Sequence, residues 1–107
     1  MDCSKSDWKL FRNRIGDWQE SYIEKLNRQY IDLLNGDGLA SEKFLELNRR
    51  IREDRKSLGV QMELRKPDLP YTLVKLLYEK VITEDDLSQF SSELQDTVKQ
   101  LQKRMEE

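Results

Sequence analysis

The sequence predicts an all-α protein, a compact bundle of four to five helices that ends in a C-terminal αα-hairpin. Two observations carry this reading. Apolar residues recur at three- and four-residue spacing along most of the chain, and apart from Gly16 the glycines and prolines fall at a few breaks between those segments. Composition agrees: 37% of the residues are charged and 36% apolar, so each helix must show water a broad polar face over a thin core. A chain of 107 residues is long enough for one domain without disulfides or metals. Residues 1–107 are therefore read as a single domain, with residues 1–6 mobile at its start.

The first element opens with SDWKLFRNRIGDWQESY, which interleaves aromatic and basic residues. On a helix over 8–34, Trp8, Phe11, Ile15, Trp18, Tyr22, Leu26, Tyr30 and Leu33 fall on one stripe, and Lys9, Arg14, Lys25 and Arg28 fall outside it. The aromatics are thus expected in the core. Gly16 is the weak point, because a glycine costs about 1 kcal/mol against alanine inside a helix. A break there would leave Trp8 and Phe11 on a short binding arm.

Asn35-Gly36-Asp37-Gly38 is a helix stop followed by a turn. The second helix is predicted over 41–58, with Phe44, Leu47, Ile51 and Leu58 on a narrow apolar seam and Gly59 as its end. Residues 60–66 alternate apolar and polar side chains over too short a stretch to separate a helical turn from an extended linker. Pro67 and Pro70 place a helix start near Asp68 or Leu69. Thr83 with Asp86 has the pattern of a capping box, and the acids at 84–86 suit the positive end of a helix dipole. A last helix is predicted from there to about residue 106, with Leu87, Phe90, Leu94, Val98, Leu101 and Met105 on one stripe.

Several function classes are disfavoured. The chain has no histidine and one cysteine, Cys3, so His-based triads, Cys/His zinc sites and internal disulfides are excluded. NGDGL fails as a calcium loop, since aligning Gly38 with the loop glycine puts Leu33 and Phe44 at ligand positions. The pairs Glu20 with Glu24 and Glu42 with Glu46 are what 21 acids produce by chance. No phosphate-binding glycine motif or activated nucleophile is present, and neither an enzyme, a metal nor a cofactor is expected. With no signal peptide and no apolar run of spanning length, a cytoplasmic location without a membrane is expected.

Two charge clusters remain. RRIREDRK, residues 49–56, puts Arg49, Arg52 and Lys56 on one flank of a helix, where they could meet phosphates together with Trp8. Between Val81 and Val98 there is no Lys or Arg, while Glu84, Asp85, Asp86, Glu93 and Asp96 are acidic. Of these, Glu84, Asp85, Glu93 and Asp96 form the candidate protein-binding face, able to compete for a basic groove. For both clusters a solvated surface is the simpler reading.

The segments DWKLFRNRIGDWQESY, ASEKFLEL and VITEDDLSQFSSEL resemble a family of small helical proteins of gut Gram-positive bacteria, often carried on mobile elements and sometimes labelled multidrug transporters. The resemblance covers most of the chain and brings no catalytic residue; the transporter label conflicts with the lack of a membrane span. Separately, LLYEKVITEDDLSQF resembles a short helical hairpin common at bacterial C-termini, with Lys80 where glycine usually stands. Together these readings lead to a non-enzymatic protein-interaction module. Its sharpest form, implied by the mobile-element resemblance, is an inhibitor of a host nucleic-acid-targeting defence enzyme, of anti-CRISPR or anti-restriction type. The alternatives are a small nucleic-acid-binding regulator using Arg49, Arg52, Lys56 and Trp8, and a helical accessory or homodimerisation module pairing through the Leu87 to Met105 stripe.

Overall fold

A computed structural model describes residues 4–106 and holds five α-helices: α1 (Lys5–Asn35), α2 (Ala40–Asp54), α3 (Leu69–Tyr78), α4 (Glu84–Leu87) and α5 (Ser92–Glu106). A 3-10 turn, Lys66–Asp68, leads into α3, and there is no strand among the described residues. The all-α bundle and its C-terminal hairpin are those the sequence predicts, with α3 packed on α5. Of the N-terminal residues expected to be mobile, 1–3, including Cys3, lie outside the described residues. Residues 4–6 form the cap and first turn of α1, where the Ser4 hydroxyl accepts the Asp7 N–H at 3.1 Å.

Helix α1 runs unbroken through Gly16, which lies on the exposed side where an added Cβ would meet nothing within 4 Å. Burial of Phe11 and Ile15 just before it, with half-buried Trp18 just after, offsets the weak helix propensity of this one glycine. All eight residues of the predicted stripe are buried or half-buried. Phe11 and Ile15 join one core with Leu69, Leu73, Val74 and Leu76 of α3, and with Ile82, Leu87, Phe90, Leu94, Val98 and Leu101 of the C-terminal segments. Leu26 is buried apart from that core.

Two elements differ from expectation. Helix α2 stops at Asp54 and not near Leu58, because the chain turns over Ser57 and Gly59 to cross α1. That crossing is tied down: the Glu79 carboxylate accepts the Leu58 N–H at 3.1 Å, and the Gln19 amide donates to the Leu58 carbonyl at 3.0 Å. Only glycine fits at 59, where a Cβ would clash with the Tyr22 ring and lie 2.8 Å from a Val81 methyl. Likewise, the helix predicted over 84–106 is two helices. At the corner Ser91 caps α5 by accepting the Leu94 N–H at 3.2 Å, and the Gln95 amide donates to the Phe90 carbonyl at 2.7 Å. Side chains thus satisfy the backbone groups that the break exposes. Residues 61–65 adopt no regular structure.

The capping box at the start of α4 is complete: Thr83 accepts the Asp86 N–H and Asp86 accepts the Thr83 N–H at 2.8 Å. At the end of α3 the Val81 N–H bonds the Leu76 carbonyl and the Lys80 N–H the Leu77 carbonyl, the two bonds of a Schellman stop. Lys80 takes the left-handed conformation this stop requires, with φ of 61°. A side chain there is strained. Replacing Lys80 with glycine is therefore expected to stabilise the fold by about 1 kcal/mol, read as a higher urea midpoint at unchanged m-value.

The packed core lies at one end of the molecule. The second half of α1 and all of α2 form an arm beyond it, so that the radius of gyration is 16.6 Å against about 13 Å for a spherical domain of this length.

Candidate interaction surfaces

The arm is an amphipathic hairpin whose apolar side is not used internally. Toward α1, helix α2 turns half-buried Lys43, Leu47, Arg50 and Asp54. The Lys43 ammonium donates to the Leu34 carbonyl at 3.1 Å, and the Tyr30 hydroxyl donates to Asp54 at 2.5 Å. Burial, the Asp54 hydrogen bond and its negative charge push the Tyr30 hydroxyl up to about 12. Because the folded value is raised, the stabilisation from neutral Tyr30 is complete below pH 10 and is lost as pH rises toward about 12. A Tyr30→Phe variant should lack that alkaline loss, measured as the difference in unfolding midpoint between the two proteins across this range.

No residue of α2 is buried. Phe44 is 72% exposed, Leu45 64% and Ile51 37%, with Ile31, Leu34 and Leu39 also exposed around the tip. The predicted seam of Phe44, Leu47, Ile51 and Leu58 is thus corrected: Leu58 packs against the core from beyond the helix, while Phe44 and Ile51 face water. The spacing of such a stripe fixes which residues share a face, and says nothing of what covers it. Beside Ile51, the arm opens a groove of about 260 Å³ walled by Ile23, Leu26, Tyr30, Val60 and Ile51.

The acidic candidates Glu84, Asp85, Glu93 and Asp96 are all exposed at the starts of α4 and α5. None of them forms an ion pair among the described residues. Glu84 also lines a depression of about 610 Å³ with exposed Tyr78 and Met105.

The basic candidates are less available. Arg49, Arg52 and Lys56 do line one surface together with Arg55. Arg49 bonds Glu46 at 2.5 Å, and this bond with that of Arg50 holds the Glu46 carboxyl down at about 2. Lys56 faces Glu53 at 3.5 Å. Trp8 is not part of that surface: it lies six turns before Tyr30 on α1, about 33 Å along the axis. There it stacks on Phe11 at 5.7 Å and borders a separate surface with Lys5, Lys9 and Arg12. The Leu87 to Met105 stripe is spent on the core up to Leu101, leaving Met105 exposed.

No helix among the described residues is long and apolar enough to cross a membrane, and no group of three or more Cys, Asp or Glu side chains among them is placed to hold a metal. In comparisons with protein-family models, curated proteins and solved structures, no match to this chain was found.

Proposed function

We propose that this chain is a non-enzymatic protein-interaction module that docks through the α1–α2 arm. One observation supports the reading above the others: α2 buries none of its residues, while Phe44 and Ile51 face water beside an apolar groove. Contiguous apolar surface with a charged rim is where folded chains meet protein partners. The test is affinity capture with wild type, a Phe44→Glu/Ile51→Glu variant and an Asp85→Lys/Glu93→Lys/Asp96→Lys variant. Partners bound by wild type should be lost from the arm variant and kept by the charge-reversed one. The opposite pattern would overturn the reading.

That opposite pattern belongs to a second reading, in which the protein inhibits a nucleic-acid-targeting defence enzyme by occupying its basic groove. Its support is the set of four exposed carboxylates with no internal ion pair, beside Tyr78 and Met105. Binding of that kind is steered by charge and weakens as salt rises. A partner held equally well in low and high salt would exclude it.

A further inference from the structure

We propose that the first turns of α1 are a contact site for single-stranded nucleic acid, with Lys5, Lys9 and Arg12 meeting its phosphates and Trp8 stacking on one of its bases. The site lies at the core end of the molecule, so the proposal stands independently of the docking role of the arm.

Lys5, Lys9 and Arg12 follow one another at four and three residues, which places them within an arc of about 60° and along about 10.5 Å of the helix. All three are exposed, and none makes an ion pair among the described residues. With Trp8 and Asn13 they line a surface depression of about 490 Å³ that no carboxylate borders. Between Lys5 and Gly16 the one acid is Asp7, which lies about 160° round the helix from Lys5. It is buried there and bonded to Ser91. The next acids along α1, Asp17 and Glu20, come more than a turn past Arg12. The basic flank of α2 differs, since Arg49 and Lys56 are taken by Glu46 and Glu53. Cations in the first turns of a helix oppose its dipole, so their placement here does not serve the stability of α1; it does strengthen the attraction of an anion.

Trp8 supplies what charge alone lacks. It is half-buried, ends the aromatic row by stacking on Phe11 at 5.7 Å with 22° between the rings, and lines the depression. A base laid against it adds one ring to that row, the sequence-tolerant stacking that holds unpaired strands. Bases inside a duplex are already stacked on one another and offer no free ring. An acidic peptide or an anionic membrane matches the cations without supplying the base, and a single indole is too narrow an apolar face to enter lipid. Three cations spread over about 10.5 Å reach more than one phosphate, which selects a strand over a free nucleotide.

Fluorescence anisotropy of a labelled deoxythymidine strand of about eight nucleotides, titrated with the full chain at low salt, tests this. Log affinity should fall against log salt with a slope of about −2, the value for three phosphate contacts on a single strand. Lys9→Glu/Arg12→Glu changes two exposed positions, and should weaken binding about tenfold or more with an unchanged circular dichroism spectrum. Trp8→Leu keeps an apolar side chain against Phe11 and should weaken it about tenfold, while Trp8→Phe, which restores a ring, should recover most of that loss. Arg52→Glu/Arg55→Glu on α2 should bind as wild type does, and a duplex of the same length and vesicles of anionic phospholipid should bind far more weakly. If Trp8→Leu unfolds, the charge variant carries the test. No binding at low salt, full affinity in the Lys9→Glu/Arg12→Glu variant or in folded Trp8→Leu, equal affinity for the duplex, preference for the vesicles, or a loss confined to Arg52→Glu/Arg55→Glu would each overturn the proposal.

Discussion

Replacing Phe11 with alanine is expected to destabilise the protein by about 3–5 kcal/mol, the cost of removing a buried phenyl ring and leaving a cavity behind. Phe11 is 1% exposed and sits at the centre of an aromatic row. Trp8 lies 5.7 Å from it nearly parallel, Trp18 lies 6.1 Å away tilted, and Trp18 in turn meets Phe90 of the C-terminal half at 6.4 Å. The ring therefore joins the first helix to the last segments. Domains of this size have about 5–15 kcal/mol in total, so the variant should be close to unfolding at 37 °C. Urea unfolding followed by tryptophan fluorescence measures it. The same change at exposed Phe44 should move the stability by no more than about 0.5 kcal/mol. Equal losses at the two sites would contradict the placement of both rings.

Asp7→Ala is expected to cost about 2–3 kcal/mol, although it removes no apolar surface. Asp7 is 4% exposed and accepts two bonds from Ser91, one from its N–H at 2.9 Å and one from its hydroxyl at 2.6 Å. These bonds hold the start of α1 against the α4–α5 corner, 84 positions later in the chain. The carboxylate also lies in the first turn of α1, at the positive end of its dipole. Without it the Ser91 N–H has no partner inside the fold. A double-mutant cycle with Ser91→Ala isolates the contact: the double variant should lose clearly less than the two single losses added together. Additive losses would show that Asp7 acts only on its own helix.

The sequence made some of these features visible and hid others for physical reasons. The α1 stripe, the stop at Gly36 and Gly38, the capping box at Thr83 and Asp86 and the start of α3 are set by residues within a few positions of one another, so local periodicity and capping chemistry predict them. Lys80 belongs with them, since the expectation of glycine there is met by a left-handed backbone. Hidden features depend on contacts distant in sequence. Ser91 gives no local sign that Asp7 will bind it, and so the apolar spacing predicts one continuous helix across the corner that splits it. The seam of α2 is apolar as its spacing predicts, but Phe44 and Ile51 lie outside the contact with α1, because that side is occupied by Lys43, Arg50 and Asp54 through specific hydrogen bonds and long side-chain stems. Among the candidate sites, the acidic residues are exposed as expected, while Trp8 on α1 and the basic flank of α2 belong to separate surfaces.

The uneven distribution of burial along the arm also governs how the protein opens. Helix α2 has no buried residue, whereas Leu69, Leu73, Leu76 and Val98 are fully enclosed in α3 and α5. Segments with few buried contacts detach in local events far below the free energy of global unfolding. Amide hydrogens of α2 should therefore exchange through detachment of the arm hairpin, and those of α3 and α5 only when the whole chain unfolds. The molecule then has two cooperative units of unequal strength, and whatever covers the arm would raise the protection of the weaker one while leaving the stronger nearly unchanged.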